Sequence, residues 1–326
     1  MAEPRLAAIA IGRNEGARLE ACLASLRETG AFARIVDVDS GSTDGSVEMA
    51  RGQGAEVVML DTAQPFTAAR ARNAGLERLA EGEAPDLVQF VDGDCTLVPG
   101  WLPAALRFLV TRPDIAVVCG RRRERHPEAS RYNRLCDTEW DTPIGEATAC
   151  GGDALMRWRA LREVEGYDPA LIAGEEPEMC LRMRRRGWRI WRLDAEMTRH
   201  DAAMTRFAQF WARMRRGGFA YAEGAAMYGR DPEAHGVPGL RKALIWGLAL
   251  PVAILVAAVL FGPLALLALA IYPLQIARLA LKRGARPADW DWALLITLGK
   301  FAEAQGAADY LWRRLTRGET RLIEYK

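Results

Sequence analysis

The chain has 326 residues, 50% of them hydrophobic and 26% charged, which implies a packed core rather than a disordered segment. A formal net charge of +2 is too small to suggest a nucleic-acid partner. Cys22, Cys95, Cys119, Cys136, Cys150 and Cys180 lie far apart with no C-x-x-C pair, so neither a zinc site nor a disulfide framework is expected.

The first five residues lead directly into an apolar run and lack the pattern of a signal peptide. Residues 6–11 form a continuous apolar segment, suited to a strand covered on both faces. A helix follows, with Leu19, Cys22, Leu23 and Leu26 at i, i+3, i+4 and i+7. Strands are predicted over 35–38, 55–60, 87–91 and 115–119, with helices over 46–51, 67–79 and 101–110. Repeated βα units imply a mainly parallel α/β sheet, in which ligands bind beyond the carboxyl ends of the strands. From 121 to about 150 the pattern weakens, and Arg121-Arg122-Arg123-Glu124-Arg125 reads as a solvated loop, with a phosphate contact as the alternative. Helices are expected again over 153–163 and 177–186, and a strand over 188–193.

The remainder has a different composition. In 206–216, Phe207, Phe210, Trp211 and Met214 share one helical face and arginines occupy the rest. Such a helix can lie in the headgroup layer of a membrane or pack on the domain surface. Residues 243–281 are apolar except for Gln275 and Arg278 and are interrupted by Gly262-Pro263. A spanning helix needs about 20 residues, so this stretch suffices for two, over 243–261 and 264–281. Arg241 and Lys242 before it, and Lys282, Arg283 and Arg286 after it, predict a hairpin with both ends in the cytosol. Residues 290–315 are mixed and read as an interfacial or re-entrant helix, followed by a basic tail with Arg317, Arg321 and Lys326. The segmentation is therefore 1–204 for an α/β domain, 205–240 for an amphipathic helix and linker, 241–286 for a hairpin and 287–326 for a terminal helix and tail.

Several turns at predicted strand ends could carry chemistry. Neither G-x-G-x-x-G after the first strand nor G-x-x-x-x-G-K-[ST] occurs, which disfavours a dehydrogenase or a P-loop enzyme. Gly12-Arg13-Asn14-Glu15 opens a helix where free N–H groups can meet a nucleotide. Asp39, delivered by a strand, can accept an N–H from a base ring, with Gly41 in a tight turn and Asp44 capping the next helix. Asp92-Gly93-Asp94 is a D-x-D of the kind hard cations such as Mg²⁺ or Mn²⁺ prefer. Glu175-Glu176 precedes Pro177, which puts Glu176 at an expected N-cap where glutamate is not favoured, a position suited to a general base. Each turn also has a plain structural reading as a cap or an Asp-Gly turn.

Taken in order, these segments resemble a family 2 glycosyltransferase with the GT-A fold. The matching parts are 9–15, 38–45, Ala71-Arg72-Asn73-Ala74-Gly75, 91–94, Gly151-Gly152-Asp153, Gly166-Tyr167-Asp168, and Gly174-Glu175-Glu176 leading to Arg182 and Gly187-Trp188. The resemblance covers about the first two-thirds of the chain. It implies that Asn14, Glu15, Asp39 and Ser40 hold the base and ribose of a nucleotide-sugar, with Arg72 and Asn73 nearby. Asp92 and Gly93 would meet the ribose or sugar, Asp94 the cation, and Gly151, Gly152 and Trp140 the sugar and acceptor side. Glu176, beside Glu175, stands where the family usually has an Asp base, and Ser40 replaces the second Asp of D-D-G-S. His200 is a candidate further metal ligand, as in some GT-A enzymes, although a lone histidine is often structural. Gln209 and Arg213 lack the spacing of the Q-x-x-R-W motif, so a processive synthase is not expected.

The expectation is an inverting transferase, dependent on Mg²⁺ or Mn²⁺, at the cytosolic face of the inner membrane. It would take a nucleotide-sugar, with UDP favoured, and a lipid-linked or polysaccharide acceptor. The alternatives are a nucleotidyltransferase and a non-catalytic membrane adaptor.

Overall fold

The computed structural model describes residues 3–316; the basic-tail residues Arg317, Arg321 and Lys326 lie outside them. The chain divides into two compact units. The first comprises the chain up to His126 together with Cys136–Ala202, and the second Pro127–Leu135 together with the chain from Ala203 onward. The division falls near the end of the expected α/β domain, but the segment 127–135 goes with the second unit, which no composition shift marks.

The first unit is built on one nine-stranded mixed sheet. Its strands are β1 (Leu6–Gly12), β2 (Phe32–Asp39), β3 (Glu56–Met59), β4 (Leu87–Asp92), β5 (Cys95–Leu97), β6 (Ile115–Glu124), β7 (Gly145–Ala147), β8 (Ala154–Arg157) and β9 (Arg189–His200). The order is β3-β2-β1-β4-β8-β6-β9-β5, with β7 also paired to β9. Its helices are α1 (Ala17–Glu28), α2 (Ser46–Gly52), α3 (Ala68–Ala80), α4 (Trp101–Thr111), α5 (Arg131–Glu139), which runs across the division, α6 (Trp158–Glu163) and α7 (Glu175–Arg185).

Strands β3, β2, β1 and β4 are parallel neighbours. Every residue from Leu6 to Ile11 is buried, so β1 is covered on both faces, as its unbroken apolar run requires. Its register aligns Gly12 with Asp39 and Ile11 with Asp92, so the acidic ends of β2 and β4 flank the end of β1. Helix α3 packs closely on β1 because Gly75 leaves room; a Cβ there would stand 2.6 Å from Ile9 Cγ2.

The far half of the sheet departs from the sequence expectation. The stretch expected as helix from residue 153 is first a strand, β8, antiparallel to both β4 and β6. Its Ala154-Leu155-Met156 is too short and too apolar to distinguish helix from buried strand by periodicity. The supposed loop at 121–125 is mostly strand, because β6 continues to Glu124. It pairs with β9, which runs to His200 rather than ending near Leu193. Helix α7 begins at Glu175 with Gly174 at its N-cap, so Glu176 lies inside the first turn and is not the cap.

The second unit holds α8 (Phe207–Tyr228), α9 (Val237–Phe261), α10 (Pro263–Arg283) and α11 (Pro287–Thr316). Helices α9 and α10 are long and apolar enough to cross a membrane. Their apolar side chains face outward: Val259 is 85% exposed, Phe261 83% and Leu264 79%. A soluble core would cover such residues, whereas lipid accommodates them. Helix α9 contains a π-helical turn at Ile245–Ala249, just before Pro251 removes a backbone donor.

The amphipathic stretch beginning at Arg206 is largely covered within this unit, not laid out for a headgroup layer. Phe210 and Met214 are buried, Trp211 donates through Nε1 to Gln305 Oε1 at 2.7 Å, and Arg215 pairs with Asp309. Helix α11, expected to be interfacial or re-entrant, is a continuous helix with one face packed inside the unit and Ala293, Ala302 and Ala307 fully buried. Glycines allow backbone contact between these helices, since a Cβ on Gly218 would collide with the Glu303 carbonyl and one on Gly306 with that of Arg215.

Gly306→Leu should therefore force α8 and α11 apart, costing on the order of 1–3 kcal/mol or more. Thermal unfolding in detergent, compared with the exposed control Leu315→Ala, measures this; an unchanged midpoint for the glycine variant would contradict the packing.

Candidate active site

The first group of site residues sits on the turns after β1 and β2. Asn14, held at φ 55°, donates its backbone N–H to Ser42 Oγ at 2.8 Å and accepts from Thr43 N–H through Oδ1 at 2.8 Å. The two turns thereby brace each other. Asp39 Oδ2 accepts from the Gly41 and Ser42 amides at 2.8 and 2.9 Å, an Asx turn that Gly41 permits at φ 91°. One carboxylate oxygen of Asp39 is thus committed to shaping its turn. Ser40 is buried beside it, and its Oγ lacks a hydrogen bond. Glu15 pairs with Arg18 at 2.7 Å, and its stem crosses Gly12 and Gly93, where a Cβ would lie 3.2 and 3.5 Å from Glu15 Cγ. The N-cap of α2 is Gly45 rather than Asp44; the Asp44 carboxylate, one residue earlier, accepts from Ser46 N–H at 3.1 Å.

The second group is an ion network centred on Arg72 of α3, which is 3% exposed. Its Nη2 meets Asp92 Oδ1 at 2.9 Å. Its Nη1 meets Glu175 Oε1 at 3.0 Å and Glu176 Oε1 at 2.9 Å. The guanidinium thus joins the end of β4 to the first turn of α7. Burial would lower its pKa, but Glu176, Asp92 and Glu175 outweigh that and hold it above its ordinary value. Arg122 of β6 performs a parallel task, with Nη2 at 3.2 Å from Asp92 Oδ2 and 2.9 Å from Asp153 Oδ2. Asp153 Oδ1 accepts from Asp92 N–H at 2.9 Å, and its Oδ2 accepts from Thr198 Oγ1 at 2.6 Å. Gly152 passes close to this network; a Cβ there would stand 2.5 Å from Arg72 Nη2 and 2.8 Å from Asp92 Oδ2.

The third group joins β5, β6 and β9. Asp94 Oδ2 lies 3.2 Å from His200 Nε2, and both residues are buried. Asp94, Cys95 and His200 each offer a donor atom within 4.8 Å of the other two, so together they can hold a cation. Trp140 presents its ring to His200 edge-on at 4.7 Å and receives the Arg122 guanidinium at 5.5 Å, which sets it beside both networks. Gly151, on the same approach, is exposed.

Residues 9–163 match the family model described as glycosyl transferase family 2. Just under half of the chain thus matches a family 2 glycosyltransferase domain. Succinoglycan biosynthesis protein ExoA of Rhizobium meliloti (strain 1021) is 27% identical over 245 residues, which cover 71% of each chain. Mannosyltransferase PcManGT from Pyrobaculum calidifontis, solved with GDP-Man and Mn²⁺, superimposes with a TM-score of 0.67 at 19% identity, covering 96% of this chain and 89% of its own. The shared fold is GT-A. This finding favours the glycosyltransferase reading over the nucleotidyltransferase one.

Within the matched segment, Asn73 follows Arg72 on α3. Its amide clasps the backbone of Tyr167, donating to the carbonyl at 2.7 Å and accepting from the N–H at 2.9 Å. It braces the site indirectly, because the Tyr167 ring lies 5.6 Å beneath the Arg72 guanidinium. Gly166, at φ 69°, leaves space for that clasp, since a Cβ would approach Asn73 Oδ1 to 2.6 Å.

Arg122, Asp153, Cys95 and Glu124 went without a role in the sequence reading. The arginine run hid a strand whose alternate residues Arg122 and Glu124 stand in register with Thr198 and His200 of β9. Past Cys119 the run Gly120-Arg121-Arg122-Arg123-Glu124 has no apolar–polar alternation, so nothing in the sequence marked it as strand.

Burial, followed by the Glu175 carboxylate, pushes the Glu176 carboxyl up to about 7, against the opposing pull of Arg72. Such a carboxyl is poised to take a proton near neutral pH. Removing Arg72 would strand three acids. Arg72→Met should cost about 3–5 kcal/mol of stability, the usual range for breaking a buried ion pair. Chemical denaturation of the two proteins at the same pH tests this, and equal midpoints would show that the network carries no such weight.

Proposed function

We propose that the chain transfers a sugar from a nucleoside diphosphate sugar, UDP-linked by preference, to a hydroxyl of a lipid-linked or polysaccharide acceptor, with inversion, at the cytosolic face of the inner membrane. The observation that carries this reading is the Arg72 bridge, which binds Asp92 at the end of β4 to the Glu175-Glu176 pair on α7, beside the Asp94–His200 donors. The braced turns with Asn14, Glu15, Asp39 and Ser40 would receive the nucleoside, and Asp92 with the Gly93 backbone the ribose and sugar. Trp140, Gly151 and Gly152 would border the sugar and acceptor.

Glu176 would accept the proton of the acceptor hydroxyl as its oxygen bonds to the anomeric carbon and the bond from that carbon to the phosphate oxygen breaks. The nucleoside diphosphate then departs with the bonding electrons. Asp94 and His200 would hold a divalent cation, Mg²⁺ or Mn²⁺, and the donor set fits one, since its atoms already converge in a buried site. That cation would supply positive charge to the leaving diphosphate. Arg72 would hold Glu175 and Asp92 in position while Glu176 exchanges its proton. The similarity to ExoA, a succinoglycan biosynthesis protein, supports a polysaccharide or its lipid-linked precursor as acceptor.

Because the base must be ionised, and its carboxyl is raised to about 7, kcat/KM should fall on the acid side of that pH and level off above it. Glu176→Gln should lower turnover by about 10²–10⁴-fold and leave nucleotide-sugar binding nearly intact. Full turnover by this variant, or a flat profile between pH 5 and about 8 in the parent, would displace Glu176 as the base.

The outward-facing α9 and α10 support a hairpin embedded in the bilayer. The protein should stay with membranes through alkaline carbonate and come out only with detergent. Release by carbonate alone would leave the hairpin reading without support.

A further inference from the structure

Cys95 is the residue the transfer reaction leaves unused, and it lies among the cation donors. It stands directly across from His200 in the antiparallel β5–β9 pair. Its Sγ is 3.6 Å from Asp94 Oδ1, while His200 Nε2 is 3.2 Å from Asp94 Oδ2. Zinc–ligand bond lengths put tetrahedral neighbours about 3.4 Å apart for nitrogen with oxygen and about 3.6 Å for sulfur with oxygen. The sulfur and the imidazole approach different oxygens of the Asp94 carboxylate, and all three groups lie within 4.8 Å of one another, so a turn of that carboxylate would bring one oxygen, the nitrogen and the sulfur into a single cation shell.

The surroundings complete the arrangement. His200 Nδ1 is buried without a hydrogen bond and lies 3.7 Å from Glu124 Oε2. A cation on Nε2 would fix the ring proton on Nδ1, facing that carboxylate, which is the usual support of a histidine ligand. Hard cations such as Mg²⁺ avoid sulfur, whereas Zn²⁺, Cd²⁺ and Co²⁺ accept it.

We propose that Cys95 turns the Asp94–His200 position into a site for a thiophilic divalent cation, with the sulfur as third ligand and the fourth position open. Mn²⁺ and Mg²⁺ use the carboxylate and imidazole and leave the thiol outside their shell. Zn²⁺ recruits the sulfur as thiolate, releases its proton to solvent and displaces the harder cation. The consequence is a transferase whose cation site is captured by zinc. The proposal rests on Asp94 and His200 as cation donors and is independent of sugar transfer.

The test is spectroscopic and uses the full-length protein in detergent. Zinc-edge X-ray absorption of the stoichiometric Zn²⁺ complex should show one sulfur at about 2.3 Å together with nitrogen and oxygen scatterers. A shell of nitrogen and oxygen alone overturns the proposal, whether or not the protein is active. The Co²⁺ complex should show a thiolate charge-transfer band that Cys95→Ser abolishes and Cys119→Ser retains. A band that survives Cys95→Ser places the sulfur elsewhere and also overturns it. In calorimetry Cys95→Ser should weaken Zn²⁺ by more than the roughly 10–100-fold that loss of an outer-shell partner costs, and leave Mn²⁺ little changed. Equal weakening of both cations would mean that the substitution merely loosens the site. The absorption experiment needs no variant, so a failure of Cys95→Ser to fold leaves the proposal open to refutation.

Discussion

The guanidinium of Arg72 is the constraint on which the rest of the site depends. It is almost wholly buried and touches carboxylates from two separate parts of the chain, Asp92 at a strand end and Glu175 with Glu176 at a helix start. Three acids gathered without it would repel one another and would resist burial as ions. With it, they form one array around a shared guanidinium, in which the Glu176 carboxyl, raised in pKa by burial, belongs to the proposed base. Arg122 repeats the device on the other side of Asp92, tying it to Asp153. Asp92 is thus held between two arginines, Arg72 buried and Arg122 partly so.

Small residues allow these charges to come together. Gly152 lets the backbone pass against Arg72 and Asp92, and Gly93 lies beneath the stem of Glu15. Asn73 and Gly166 position Tyr167, whose ring supports the guanidinium. In the second unit the same principle works without charge, where Gly218 and Gly306 admit the backbones of neighbouring helices. Both cases exchange side-chain volume for close approach.

The near half of the sheet was legible because its strands are mostly apolar runs, and β2 and β4 end at acidic turns. Asp39, Asp92 and Asp94 were found from that pattern alone, as was the pairing of Gly41 with a tight turn. The far half was not legible. Strand β8 has only four residues, and the basic run in β6 resembles a solvated loop until its partners Asp92, Asp153 and Asp137 are known. The clasp of Asn73 on Tyr167 was hidden for a related reason, since an amide that clasps backbone leaves no mark in sequence to separate it from one that binds ligand.

The sequence by itself determined the alternation of strand and helix, the acids at the strand ends and a hydrophobic segment long enough for two membrane-spanning helices, because each follows from composition over a few adjacent residues. The tertiary structure alone decided which charges meet. Register set Arg122 and Glu124 beside Thr198 and His200, and packing brought Arg72 to acids 20 and 103 residues away. The physical reason is that the energy of a buried charge depends on which partner lies within a few ångströms, and that distance is fixed by the fold rather than by neighbours in the chain.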